Sequence, residues 1–230
     1  MKPRLTIAEV KTPDGGRLVL EQHDRDYYVR MNGCACMSTR STVSERFLAE
    51  VICRRLSGKG AARVLIGGLG FGYTLREMLD RTNALVQVEV VELLPEVIDW
   101  NRRYLADFNG SVLENKRVTV HCDDVWKVLA GAGSNTYDAI LMDVDNGAMP
   151  LVQSQNRRLY GMRGLYRVAL VLVERGYVAY WSASPDFSFS RRLAKAGFLV
   201  EEIPVRAHER ARRSAHVVYL ARATGTKSAP

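Results

Sequence analysis

Glu92, the pair Asp123-Asp124 and Asp143 each close a short apolar run in the middle of the chain: VQVEVVE, RVTVHCDD and YDAILMD. A carboxylate at a strand tip can accept two hydrogen bonds from a ribose diol, and a second carboxylate can accept one from the exocyclic amine of adenine. Upstream of all of them, residues 63 to 72 read RVLIGGLGFG, so that Gly68, Gly70 and Gly72 form a GxGxG turn after a buried run. Glycine at such a turn lets backbone pass close to a ligand. The spacing differs from the GxGxxG of nicotinamide and flavin binders. Glycine turn and acids together describe a site for an adenosine-bearing ligand, with Gly68, Gly70, Gly72, Glu92, Leu93, Asp123 and Asp124 as its candidate residues. Each acid also has a structural use. Glu92 precedes a helix starting at Pro95 and can complement its dipole; Asp123 or Asp124 can serve as the N-cap of VWKVLA. Their recurrence at successive run ends is what argues for a ligand.

Those residues need strands whose ends lie side by side. Apolar runs at 64 to 67, 86 to 92, 117 to 121, 137 to 143 and 176 to 182 alternate with amphipathic segments, the pattern of a parallel sheet covered on both faces. FLVEEIPV (198 to 205) and HVVYLAR (216 to 222) follow with only a basic loop between them, so the sheet should end in an antiparallel hairpin. The front of the chain reads as a small β meander of three runs, GRLVLEQ, DYYVRM and CACM, with Asn32-Gly33 as a two-residue hairpin turn. Thr42-Val43-Ser44-Glu45 matches a capping box for a helix that places Phe47, Leu48 and Val51 on one face. The expected organisation is a meander over 1–41, the main domain over 42–222 and a frayed tail over 223–230.

With 230 residues and 47% hydrophobic content, the chain can bury one sizeable core and a small appendage. There is no apolar run long enough to cross a membrane, and MKPRLTIAEV lacks the apolar stretch of a signal peptide, so a cytoplasmic protein without a membrane partner is expected. Cys34, Cys36, Cys53 and Cys122 are irregularly spaced, which suits reduced thiols and no metal. The net charge of +8 could serve a polyanion such as nucleic acid. Its densest piece, residues 206 to 216, is more simply a solvated hairpin.

GGLGFG, VVELLPEVIDWNRRYL, the acid pair before VWKVL, and YDAILMD together resemble the S-adenosylmethionine-type Rossmann domain. Over residues 28 to 222 they most closely resemble the spermidine synthase (polyamine aminopropyltransferase) family. The resemblance implies an α/β, Rossmann-like class I methyltransferase fold, a seven-stranded mostly parallel sheet ending in an antiparallel hairpin. It further implies S-adenosylmethionine or its decarboxylated form as co-substrate, Glu92 on the ribose, Asp124 on the adenine amine, and Gly68 and Gly70 beside the sulfonium-bearing ligand. A homodimer joined through the meander is also implied.

In that family a DxxDP segment supplies the acid that anchors the amine and takes its proton. Asp143 matches its first position; Val144-Asp145-Asn146-Gly147 follow, so Asn146 stands at the second acid and Asp145 is a displaced accessory acid. Other departures fall on the same side of the site. The family's hairpin glutamine is Cys36, its Arg-Asp-Glu-aromatic segment is Arg40-Ser41-Thr42-Val43, and its tyrosine near the fifth helix falls at about Gly164 or Leu165, leaving Tyr160 and Tyr166 as displaced candidates. Asp143 and Asp145 are thus the expected catalytic pair, with Asn146 and Tyr160 toward the substrate. The expected activity is transfer of an aminopropyl-type group to a small-molecule amine other than ordinary putrescine. A methyltransferase and a catalytically silent nucleoside-binding homologue are the alternatives.

Overall fold

The computed structural model describes residues 3–144, 154–206 and 214–225. The N-terminal segment forms an antiparallel four-stranded sheet in sequential order: β1 (Leu5–Lys11), β2 (Arg17–His23), β3 (Asp26–Met31) and β4 (Cys34–Ser38). Asn32 and Gly33 have φ of 50° and 85° and bring Met31 opposite Cys34. Positive φ at both central residues matches the right-handed twist of the flanking strands. β1 adds a strand to the three expected runs. It lies at the sheet edge with most of its side chains open to solvent, and so lacks a clean apolar alternation.

Helix α1 (Val43–Leu56) buries Leu48, Val51 and Ile52. The expected capping box does not form. Thr42 sits at φ −121°, ψ 3°, outside the extended conformation an N-cap needs, and makes no side-chain cap. Glu45 instead accepts a hydrogen bond from Ser44 Oγ at 2.9 Å.

Beyond α1 the chain alternates β5 (Ala62–Gly67), α2 (Tyr73–Arg81), β6 (Val86–Glu92), α3 (Pro95–Arg103), α4 (Ala106–Asn109), β7 (Val118–Cys122), α5 (Val125–Gly131) and β8 (Tyr137–Met142). Then come α6 (Arg157–Tyr160), α7 (Met162–Val171), β9 (Leu172–Ser182), α8 (Phe187–Lys195), β10 (Phe198–Arg206) and β11 (Ser214–Ala223). The strands form one seven-stranded sheet in the order β10-β11-β9-β8-β5-β6-β7. β11 pairs antiparallel with both β10 and β9, while the other pairings are parallel. The strand order reverses between β5 and β8, which places a crevice at their carboxyl ends.

Alternate residues of β5 feed two cores, as the two-residue period of a strand requires. Val64 and Ile66 join Leu48, Ile52, Met78 and Val218 on one face; Leu65 joins Ile140, Leu165, Val168 and Tyr180 on the other. A third cluster, with Leu20, Val29, Phe71, Tyr73, Val97 and Trp100, fastens the meander to the glycine turn and α3. The meander is thereby held over the crevice.

Candidate functional site

At the reversal point, Asp143 N–H donates to Gly67 O at 2.8 Å and Gly68 N–H to Val91 O at 2.8 Å, so the tips of β8, β5 and β6 are tied together. Gly68 has φ 89°, and a Cβ there would stand 2.2 Å from the Asp143 carbonyl oxygen; only glycine lets these strand ends meet. The turn is also clamped from outside. Buried Asn101 donates from Nδ2 to Gly70 O at 2.8 Å, and Asn109 donates to Phe71 O at 3.2 Å and to Asn101 Oδ1 at 2.8 Å.

Above the turn lies a cavity of about 550 Å³. Met31 and residues 35 to 38 of the meander form part of its wall, with Gly68 to Phe71, Glu92 to Leu94, Asp124, Asp143, Asn156, Trp181 and His216 around the rest. Four carboxylates line it, Glu45, Glu92, Asp124 and Asp143, and among the described residues no lysine or arginine does.

Glu92 Oε2 accepts from Leu69 N–H at 3.1 Å and Oε1 from Leu94 N–H at 3.0 Å. Burial pushes its carboxyl up, opposed by these backbone donors. The backbone donors fix the carboxylate in place at the cavity wall. Leu93 lies beside it in the lining. Asp124 Oδ1 caps α5 by accepting from Trp126 N–H at 2.8 Å, and its Oδ2 is paired with Arg158. Its structural use and its place in the cavity therefore coexist.

Asp143 stands at the cavity base, and its Oδ2 accepts from the Thr74 hydroxyl at 2.8 Å. Burial, reinforced by repulsion from Glu45 and opposed by the Thr74 hydrogen bond, pushes its carboxyl up to about 7. A carboxylate with this affinity for protons can receive one from an ammonium near neutral pH.

The remaining sequence candidates divide. Gly70 lines the cavity with φ 51°, facing Met37 Sδ. Gly72 does not reach it: it caps α2 in a left-handed conformation, and a Cβ there would meet Asn101, Asn109 and Val112. Asp123 points outward, accepting from Asp124 N–H and pairing with Lys127 at 3.2 Å, because successive residues leaving a strand face opposite ways. Tyr160 is a core residue, 3% exposed, since α6 turns its ring onto Tyr180 and Phe189 at 5.6 Å each. Asp145 and Asn146 lie outside the described residues. Glu45 and Thr74, which the sequence reading did not place at the site, stand beside Asp143. Among the described residues no helix is long and apolar enough to cross a membrane, and no group of three or more His, Cys, Asp or Glu could hold a metal ion.

A family model for the spermine/spermidine synthase domain matches residues 51–180, more than half of the chain. Polyamine aminopropyltransferase of Corynebacterium efficiens is 33% identical over 143 residues, covering 60% of this chain and 27% of that protein. The polyamine aminopropyltransferase of Prochlorococcus marinus is 29% identical over 169 residues, covering 71% of this chain and 56% of that protein. The chain thus spans from about a quarter to just over half the length of these relatives. The crystal structure of spermidine synthase from Thermotoga maritima superposes with a TM-score of 0.74 over 96% of this chain and 73% of that one, at 18% identity, and shares its fold. The glycine turn between β5 and α2, the acids at the tips of β6 and β8 and a family match that extends from α1 into β9 all fall on one site, and on that match the chain belongs to the spermine/spermidine synthase family.

Proposed function

We propose that this chain transfers an aminopropyl group from decarboxylated S-adenosylmethionine to an amine other than ordinary putrescine. The observation that carries the reading is charge. In a protein of net +8, four carboxylates line the cavity, of which Asp124 is paired with Arg158, and among the described residues no lysine or arginine lines it. A sulfonium and an ammonium are both cations and suit such a cavity; a nucleic acid or another polyanion awaiting methylation does not. The names of the relatives, polyamine aminopropyltransferases, point the same way.

The residues fit a sulfonium nucleoside. Gly68 and Gly70 leave the floor open to a ligand, Glu92 presents its fixed carboxylate for the ribose, and Asp124 stands in the lining for the adenine amine. When bound, the sulfonium supplies an activated carbon. Asp143 takes the proton of the acceptor's ammonium, and the freed nitrogen forms the new N–C bond as the C–S bond breaks and its electron pair stays on sulfur. The products are a secondary ammonium, a neutral thioether and one proton, which Asp143 returns to solvent. The departures at Cys36, Ser41, Thr42 and Val43 support an acceptor other than putrescine, since Cys36 and Ser41 both line the cavity. By family resemblance the reading extends to a cytoplasmic homodimer joined through the meander.

Calorimetry with decarboxylated S-adenosylmethionine, S-adenosylmethionine and methylthioadenosine tests the proposal, followed by mass spectrometry of products from a panel of amines. Tightest co-substrate binding for the decarboxylated form and a product heavier by one aminopropyl group are expected. Preference for the carboxylated form with a methylated product, or no binding by any of the three, overturns it.

A further inference from the structure

The capping-box motif carries chemistry of a different kind from the one its sequence suggests. Because Thr42 does not adopt a capping conformation, Glu45 is left in the first turn of α1 and presents its carboxylate to the cavity, next to Asp143. The Thr74 hydroxyl links the two segments: it lies 2.8 Å from Asp143 Oδ2 and 3.3 Å from the Glu45 carbonyl oxygen. Ser44 Oγ holds Glu45 Oε2 at 2.9 Å. Along the same cavity, Trp181 and His216 pair their rings at 5.2 Å, and Trp181 Nε1 is buried with no hydrogen-bond partner among the described residues. Glu45 lies on the face of α1 that buries Leu48 and Ile52, three and seven residues further along, so the packing of that face sets its direction.

We infer that Glu45 is a substrate-anchoring residue: with Asp143 it forms a two-carboxylate clamp for a primary ammonium whose carbon chain lies along Trp181 and His216. The inference rests on the aminopropyl-transfer reading and deepens it. Two cations meet in that reaction, the sulfonium and the acceptor's ammonium. On the proposed reading Glu92 and Asp124 face the neutral ribose and adenine, so among the described residues Asp143 and Glu45 remain to balance them. Once Asp143 has taken the proton, Glu45 still carries the charge that holds the secondary ammonium. Two adjacent carboxylates without a cation between them repel one another, and burial raises the proton affinity of both. An arriving ammonium relieves that repulsion, which makes the pair a selective anchor for amines over neutral acceptors.

The test uses n-pentylamine and 1,5-diaminopentane, which have the same chain length and carry one or two charges. Each is titrated calorimetrically into the full chain saturated with methylthioadenosine, for wild type, Glu45→Gln and Glu50→Gln. Glu50 is one turn further along α1 and pairs with Arg54, away from the cavity. Expected is amine binding to wild type, weakened about tenfold by Glu45→Gln and unchanged by Glu50→Gln, with methylthioadenosine affinity constant within twofold. In turnover with the acceptor identified from the amine panel, Glu45→Gln should raise KM with little change in kcat, whereas Asp143→Asn should abolish kcat; Glu45→Asp should recover part of the lost affinity. Amine affinity unaffected by Glu45→Gln, or absent from wild type that binds methylthioadenosine, overturns the clamp and leaves the nucleoside reading standing. Failure of wild type to bind methylthioadenosine overturns both.

Discussion

Replacing Asp143 with asparagine should make the protein more stable relative to wild type as the pH rises. The Asp143 carboxyl is pushed from an ordinary 3.8 to about 7 by burial, with repulsion from Glu45 as the second cause and the Thr74 hydroxyl as a partial offset. Its proton affinity is thus higher in the folded chain than in the unfolded one. Between these two values the folded state binds the extra proton, so stability falls as pH rises; below 3.8 the effect is absent, and above about 7 it is complete. For a single site, the change between pH 5 and pH 8 is about 2.6 kcal/mol, and it stays above about 1 kcal/mol if the folded-state value is one unit lower. The asparagine variant keeps the shape and cannot titrate. Urea unfolding of both proteins at pH 5, 6, 7 and 8 isolates the site, because most other groups cancel in the difference. The variant should gain about 2 to 3 kcal/mol on wild type over that range. A difference that stays flat across it would refute the claim that Asp143 is buried as a proton-retaining acid. In the same window, wild-type kcat/KM for the free enzyme should climb about tenfold per pH unit below 7 and then level off, as for a base that must first lose its proton.

Methylthioinosine, which carries a carbonyl where methylthioadenosine carries an amine, should bind at least tenfold more weakly by calorimetry, because the Asp124 carboxylate would face an acceptor; Asp124→Asn should narrow that gap while keeping the α5 cap. The 2′-deoxy form of methylthioadenosine should lose about tenfold in affinity for wild type but little for Glu92→Gln, and equal losses in both proteins would remove Glu92 from the ribose. Gly68→Ala forces a Cβ to 2.2 Å from the Asp143 carbonyl at a φ of 89°, so the strand tips must part. A loss of about 2 to 4 kcal/mol in urea unfolding is expected, together with loss of nucleoside binding.

What the sequence made legible was whatever depends on local pattern. The main-sheet strands are apolar runs bounded by turn residues, and the antiparallel ending follows from two runs without a helix between them. Asn32-Gly33 announces its turn because few other residue pairs tolerate positive φ twice in succession. Glu92, Asp124 and Asp143 were visible as acids at run ends, and the sheet order gathers them into one cavity. What escaped depends on orientation. β1 is an exposed edge strand and carries no apolar alternation. Asp123 and Gly72 lie one or two residues from the lining yet face away from it, and Tyr160 is turned into the core by packing with Tyr180 and Phe189. Glu45 was visible only as a helix cap, because nothing local to Thr42-Val43-Ser44-Glu45 tells that Thr42 takes a backbone conformation unable to cap.

The two halves of the cavity are built from different kinds of structure. The half proposed for the nucleoside consists of strand tips and the glycine turn, where Gly68, Gly67 and Asp143 constrain one another at contact distance and Asn101 and Asn109 lock the turn from behind. A change there disturbs the sheet itself. The half proposed for the acceptor uses side chains near the ends of elements: Glu45 from the first turn of α1, Cys36 from β4, Trp181 from the end of β9. Leu48, Val51 and Ile52 anchor α1 one to two turns beyond position 45, and the carboxylate at that position carries its own desolvation cost. That cost is offset when a cation binds. On the aminopropyl-transfer reading, the place to read the acceptor is therefore the first turn of α1 as much as the acid at the tip of β8.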